Sequence, residues 1–302
     1  MRQKRKRAAD SISVIPAGID AAVAIPALLE AHGPRLHALA LRLCGNRADA
    51  DDMVQETFLR ALRKWSTFNG EADAGTWLYA IASRLCRPRH RRKGGSDKRV
   101  PALSQLLPWR ETSVMKIAAA PEGGVDPAER NEALHQVQRA IARLPEHLRV
   151  PLLMKEVLGV RVGDVGAALG LAENTVKTRL HRARLALRKA MTAKADAVRA
   201  PAPIYEKQVC IDLLKAKMEA MDRGGTNAGF AVPQAEICAR CRAVFREFDL
   251  VQDACAQMAT GPLPASLRRA ILRAVLDRDA ALRPPSRRGR RPLGRSAAPK
   301  RP

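Results

Sequence analysis

The sequence predicts an all-α chain: two helical domains, the second a helix-turn-helix, joined by a flexible linker, then a small helical module and disordered basic ends. Three observations carry this. Ala, Leu and Arg dominate, and the alternating β-branched runs that mark strands are scarce. Apolar residues recur at three- and four-residue steps through most of the chain. The charge is one-sided: Lys+Arg 54 against Asp+Glu 30 gives +24, with an isoelectric point near 10.9.

At 302 residues there is room for two or three small domains. A basic excess of this size points to a polyanion, with nucleic acid first. Aromatic content of 3% argues against single-strand binding by many stacked bases. No phosphate loop, nucleophile–base set or His-based catalytic cluster marks an enzyme. No apolar run is long enough to span a membrane, and no cleavage-like site follows the basic start. The expectation is a cytoplasmic protein with a disordered arm over residues 1–24.

The first helical pattern appears near Ile25, with Leu36, Leu39, Ala40 and Leu43 on one face, and Gly45-Asn46 breaks it. The next helix starts with acidic residues, favoured there by the helix dipole. Its buried stripe is Met53, Val54, Thr57, Phe58, Ala61, Leu62 and Trp65. Asp49, Asp52, Gln55, Glu56 and Arg60 fall on the opposite side. On so basic a chain this acidic face is a candidate protein-docking surface; plain solubility is the alternative. After Phe68–Glu71 a third helix carries TWLYAIASRLC. Trp77, Leu78, Ile81 and Leu85 supply core contacts, and Trp77 and Tyr79 lie beside a basic run that begins at Arg84. Basic residues interleaved with aromatics suit strand separation, where phosphates are held and bases stack. Core packing is the plainer role for Trp77. Pro88 predicts that this helix ends or kinks near Arg87. Cys44 and Cys86 fall on apolar faces.

Residues 94–127 form a Gly- and Pro-rich linker, although Leu103, Leu106, Leu107 and Trp109 are more apolar than a free tether needs. From Pro127 a helix leads to the helix-turn-helix. Val162–Leu169 is its first helix and Gly170 its left-handed stop. The second helix begins near Glu173 and buries Val176, Leu180, Ala183 and Leu187. Its other side carries Asn174, Thr175, Lys177, Thr178, Arg179, His181, Arg182 and Arg184, a set suited to base edges and phosphates in a major groove. A solvated basic helix is the alternative.

Prolines at 201 and 203 end that helix. Val209, Leu213, Leu214 and Met218 mark a further helix, and another spans about Gln234 to Met258. Cys210, Cys238, Cys241 and Cys255 lie in this module. C-x-x-C at a helix start suits a shared metal ion, and the helix N–H groups favour thiolate. With no His after His181, such a site would be thiolate-rich, taking Zn or a softer thiophilic metal such as Cu(I) or Cd. Thiol redox switching and inert buried cysteines are the alternatives. The tail from residue 281 is basic and expected to be disordered.

Two constellations carry a family resemblance. LPE-x-x-R at Leu144–Arg149, Gly159, ALG at Ala168–Gly170 and TVKTRLHRAR resemble the −35-reading domain (region 4) of extracytoplasmic-function (ECF) sigma factors; response regulators share that pattern. LALRLCGNRADADDMVQETFLRALRKW, with FNG and GTWLYAIASRLC, is similar to the −10- and polymerase-binding domain (region 2) of the same family. Both occur in the family's order, which a response regulator would not show.

The resemblance implies a sigma factor that directs promoter-specific initiation and catalyses no reaction itself. It places Asp49, Asp52, Gln55 and Glu56 on the β′ clamp helices of core RNA polymerase. Trp77, Tyr79 and Arg84 would meet the −10 element, and Asn174–Arg184 the −35 element of promoter DNA. Arg84 departs from the family's usual amide, which implies altered −10 reading. The linker would be unstructured alone and would thread the polymerase channels. The implied organisation is region 2 over 25–93, linker 94–127, region 4 over 128–196 and the cysteine module over 203–280. That module resembles a zinc-binding anti-sigma motif with Gln234 in the His position, which implies a fused regulator gating promoter binding in response to metal or redox state. A separate anti-sigma factor is a compatible partner. The rival is a metal- or redox-responsive helix-turn-helix regulator that is not a polymerase subunit.

Overall fold

The computed structural model describes residues 15–92, 103–116, 127–193, 197–224, 232–233, 236–258 and 261–282. Local chemistry sets the first helices. Asp20 caps α1 (Ala21–Cys44) by accepting from the Ala22 N–H at 2.9 Å, and Gly45, at φ 77°, stops it. Asn46 then caps α2 (Arg47–Lys64) through the Asp49 N–H at 2.8 Å. The Asp73 carboxylate accepts from the Gly75 and Thr76 N–H groups at the start of α3 (Ala74–Arg92).

The stripe read for α2 is buried as expected. Gly75 lets α3 approach α1: a Cβ there would fall 2.2 Å from His32 Cε1. Contrary to expectation, α3 continues past Pro88 to Arg92. Proline removes one N–H bond, and a single further turn lies beyond it.

The interdomain segment differs from the free tether expected. It contains α4 (Leu103–Leu106), a 3-10 turn (Pro108–Arg110) and strand β1 (Ser113–Met115). β1 pairs antiparallel with β2 (Ala197–Arg199), with Val114 opposite Val198. Leu106 and Val114 are buried, which is why the segment docks.

Then come α5 (Pro127–Arg143), α6 (Glu146–Leu152), a π-spaced turn (Leu153–Val157), α7 (Val162–Leu169) and α8 (Glu173–Thr192). The module comprises α9 (Lys207–Asp222), α10 (Ala239–Gln257) and α11 (Ala265–Leu282). The fold is all-α apart from the two-stranded ribbon.

α10 lies against α5, the π-spaced turn and α8, while α3 packs on α7. A continuous apolar core therefore runs through both helical domains and into α10. A second core forms where α9 and α10 meet the docked linker, around Leu106, Leu214 and Phe248. α11 was not anticipated from the sequence. It buries Leu267, Ile271 and Val275 at four-residue steps against α1 and α2, away from the second core. Among the described residues no helix is long and apolar enough to cross a membrane.

Candidate nucleic-acid interface

The turn between α7 and α8 depends on two glycines. Gly170 sits at φ 68°, and the Leu171 N–H reaches back to the Gly166 carbonyl at 2.9 Å. A Cβ on Gly166 would lie 2.7 Å from the Leu171 carbonyl oxygen, so the turn closes only over glycine. The first turns of α8 face solvent with Asn174, Thr175, Lys177 and Thr178 exposed. Thr178 donates to the Asn174 carbonyl at 2.9 Å, and Lys177 pairs with Glu173 at 2.7 Å. Arg179, His181 and Arg182 are half-buried. Burial pushes the His181 pKa down, and nearby Arg184 adds to the shift, so its ring is neutral at neutral pH.

Arg184 corrects the sequence reading. It is 1% exposed and grips Glu156 and Asp222, each at 2.6 Å. It follows Leu180 by one turn and shares that apolar face, so it cannot reach DNA in this arrangement. Arg188, another turn on, is equally buried and pairs with Glu247 at 2.6 Å and with Glu111.

The predicted polymerase face lies on the solvent side of α2, with Asp52 exposed and Asp49, Gln55 and Glu56 half-buried. The Asp49 carboxylate accepts from Asn46 within the helix cap. Glu56 pairs with Arg60 at 2.6 Å and Arg63 at 3.2 Å. The Arg60 hydrogen bond is the main reason its carboxyl stays below the usual range.

Trp77 is half-buried in a ring cluster with Trp65 and Phe68, at centroid distances of 5.7 and 5.5 Å, in keeping with its core role. Tyr79 is a second correction. It is 3% exposed, and its hydroxyl bonds His32 Nδ1 at 3.1 Å. It therefore cannot stack on a base, and burial raises its phenol pKa. Arg84 is exposed. The Cys86 side chain and those of the following basic run lie outside the described residues.

Three of the four module cysteines gather around the start of α10. The Cys241 N–H donates to Cys238 Sγ at 3.4 Å, and Cys241 Sγ lies 3.9 Å from Cys210 Sγ. Burial opposes ionisation of Cys238, yet the hydrogen bonds from Cys241 hold its pKa below the usual thiol value; burial pushes Cys241 up. Cys255 is a third correction. It lies fourteen residues beyond Cys241, about 21 Å along a helix at 1.5 Å per residue. It sits fully buried in the main core, close to Glu156 and Arg184. The four-thiolate site is therefore not assembled. Among the described residues, no group of three or more His, Cys, Asp or Glu is placed to hold a metal ion.

Sequence reasoning missed the residues that fix the linker. Arg240, 8% exposed, donates to the carbonyls of Pro201, Pro108, Trp109 and Glu111. Glu247 accepts from the Met115 N–H at 2.6 Å and pairs through its other oxygen with Arg188. The linker, α8 and the module helix α10 thus share one buried polar network. A signal existed: Glu247 interrupts the Val244, Phe248, Val251 stripe, as Arg184 and Arg188 interrupt that of α8.

Comparisons with known proteins match both helical domains. Residues 28–95 match Sigma-70 region 2, and residues 134–187 match Sigma-70, region 4. The ECF RNA polymerase sigma factor SigW of Bacillus subtilis is 30% identical over 165 residues, 54% of this chain and 86% of that protein. SigE of Mycolicibacterium smegmatis is 31% identical over 162 residues, 53% of this chain and 59% of that protein. A solved chain, the sigma factor RpoE in complex with the anti-sigma factor NepR from Bartonella quintana, aligns at TM-score 0.39 and 23% identity. It covers 55% of this chain and 95% of that chain.

Proposed function

This chain belongs to the ECF RNA polymerase sigma factors, and from that premise we propose how its parts divide the work of initiation. It acts in the cytoplasm as a dissociable subunit of RNA polymerase and catalyses no reaction of its own. Asp49, Asp52, Gln55 and Glu56 dock the β′ clamp helices. Asn174, Thr175, Lys177, Thr178, Arg179 and Arg182 read and hold the −35 element of promoter DNA. Trp77, Arg84 and the adjoining loop open the −10 element. The observation that carries this reading is the match of both helical domains to Sigma-70 regions 2 and 4, with Asp52 exposed and Asp49, Gln55 and Glu56 half-buried beside it on the solvent side of α2.

The C-terminal module gates this activity. The two promoter elements are centred about 25 base pairs apart, roughly 85 Å at 3.4 Å per step. With α3 packed on α7, one molecule cannot engage both. The transcribing form is therefore open. Arg240, Glu247 and Arg188 favour the closed form indirectly: they dock the linker on α8 and α10, which shortens the tether between α3 and α5.

The test is assembly with purified core polymerase, read by size-exclusion chromatography and run-off transcription. Asp52→Lys with Glu56→Lys in the full chain is expected to abolish both while the chain stays folded by circular dichroism, with the thermal midpoint slightly lowered by loss of the Glu56 pairs to Arg60 and Arg63. Undiminished assembly by the charge-reversed chain would show that α2 does not dock the polymerase.

A further inference from the structure

A cavity of about 180 Å³ opens where the docked linker meets the module. Its walls are apolar: Trp109, Pro203, Tyr205, Leu214, Val244 and Phe245. For scale, a leucine-lined cavity of roughly 150 Å³ holds benzene. The cavity therefore encloses a body of one or two rings.

Its charge is as one-sided as its walls. Lys207 and Arg240 are its charged lining residues, and no carboxylate lines it. Lys207 Nζ stands 5.4 Å from the Trp109 ring centre. Arg240 donates through Nη1 and Nη2 to four carbonyl oxygens, which are neutral acceptors and do not cancel its charge. An apolar chamber lined by one buried and one exposed cation favours a compact body with one negative end.

We infer that this cavity is a binding site for a small amphipathic organic anion, such as an aromatic carboxylate, and that its occupancy favours the closed form. The direction follows from the walls. Trp109 and Pro108 belong to the linker, and the others to the module and the segment leading into it. The complete site exists only while the linker is docked, so a ligand binding there stabilises docking. This second half rests on the gating reading above.

The probe is 2-naphthoate, titrated into the full chain by isothermal calorimetry, with the neutral 2-naphthamide alongside. Saturable one-to-one binding of naphthoate is expected, weakened at least tenfold by Lys207→Glu, whereas naphthamide binding changes little. Tyr205→Ala, at a partly exposed wall, is expected to weaken both. No saturable binding at millimolar naphthoate, or equal affinity in wild type and Lys207→Glu, overturns the site. Run-off transcription supplies the independent arm. Naphthoate is expected to lower the yield from wild type and to affect Lys207→Glu less. Tight binding with unchanged transcription would overturn the gating reading while leaving the cavity a ligand site.

Discussion

Asn174 and Arg184 lie ten residues apart on one helix, and a sequence reading treats both as polar. The structure separates them: Asn174 faces solvent, while Arg184 is buried between Glu156 and Asp222. Asn174→Ala is expected to weaken promoter binding by about 1–3 kcal/mol without moving the thermal midpoint. Arg184→Ala leaves two carboxylates without their buried partner. It is expected to cost about 3–5 kcal/mol of stability, read by urea unfolding. Wild-type stability in Arg184→Ala would mean the buried pairs do not form. The eight-residue polar face was legible at its N-terminal end and misread at Arg184, because position 184 turns back onto the Leu180 side. A charge on an apolar stripe was the available sign.

Two histidines add a pH dependence at the same scale. Burial lowers the pKa of His32 and of His181 below the ordinary 6.5. The unfolded chain takes up these protons as pH falls below about 6.5, whereas the folded chain resists them. The stabilisation is thus present above pH 6.5 and is lost as pH falls through the folded values. Urea midpoints are expected to drop between pH 7.5 and 5.5. The drop is expected to be smaller in His32→Asn, and an equal drop would assign the effect to other groups.

At the scale of elements, the helices of regions 2 and 4 were legible because their apolar periodicity, caps and glycine stops are local. The α2 stripe and the Gly170 stop stand where periodicity puts them. The linker was not legible. Leu106 and Trp109 hinted at burial, but their partners come from α8–α10, more than 70 residues downstream. α11 was missed for a related reason: its stripe is narrow, and its binding surface is α1 and α2, at the other end of the chain. The four-cysteine proposal failed on helix geometry, since Cys255 is carried along α10 away from Cys241.

Two predictions belong to this scale. Gly166→Ala forces the α7–α8 turn apart and is expected to cost about 1–3 kcal/mol of stability and to reduce promoter binding. Hydrogen exchange tests the docked linker: the Met115 amide, bonded to Glu247, is expected to exchange slowly and to lose protection in Glu247→Gln or Arg240→Ala. Fast exchange at Met115 in wild type would contradict docking.

For the whole molecule, regions 2 and 4 share one core with α10, the linker packs into a second core against α9 and α10, and α8 is held to its neighbours by Arg184 and Arg188. If regions 2 and 4 read two separated promoter elements as proposed, the molecule must leave this arrangement. The measurement that bears on this most directly is transcription-start mapping on genomic DNA of the source strain, using purified core polymerase with no chain, with wild type or with Arg240→Ala. The account predicts a set of start sites that requires the chain and shares one pair of upstream elements. It also predicts the same sites at several-fold higher yield with Arg240→Ala. An absence of chain-dependent starts would contradict the sigma assignment, and equal yield from Arg240→Ala would contradict the closed-form restraint.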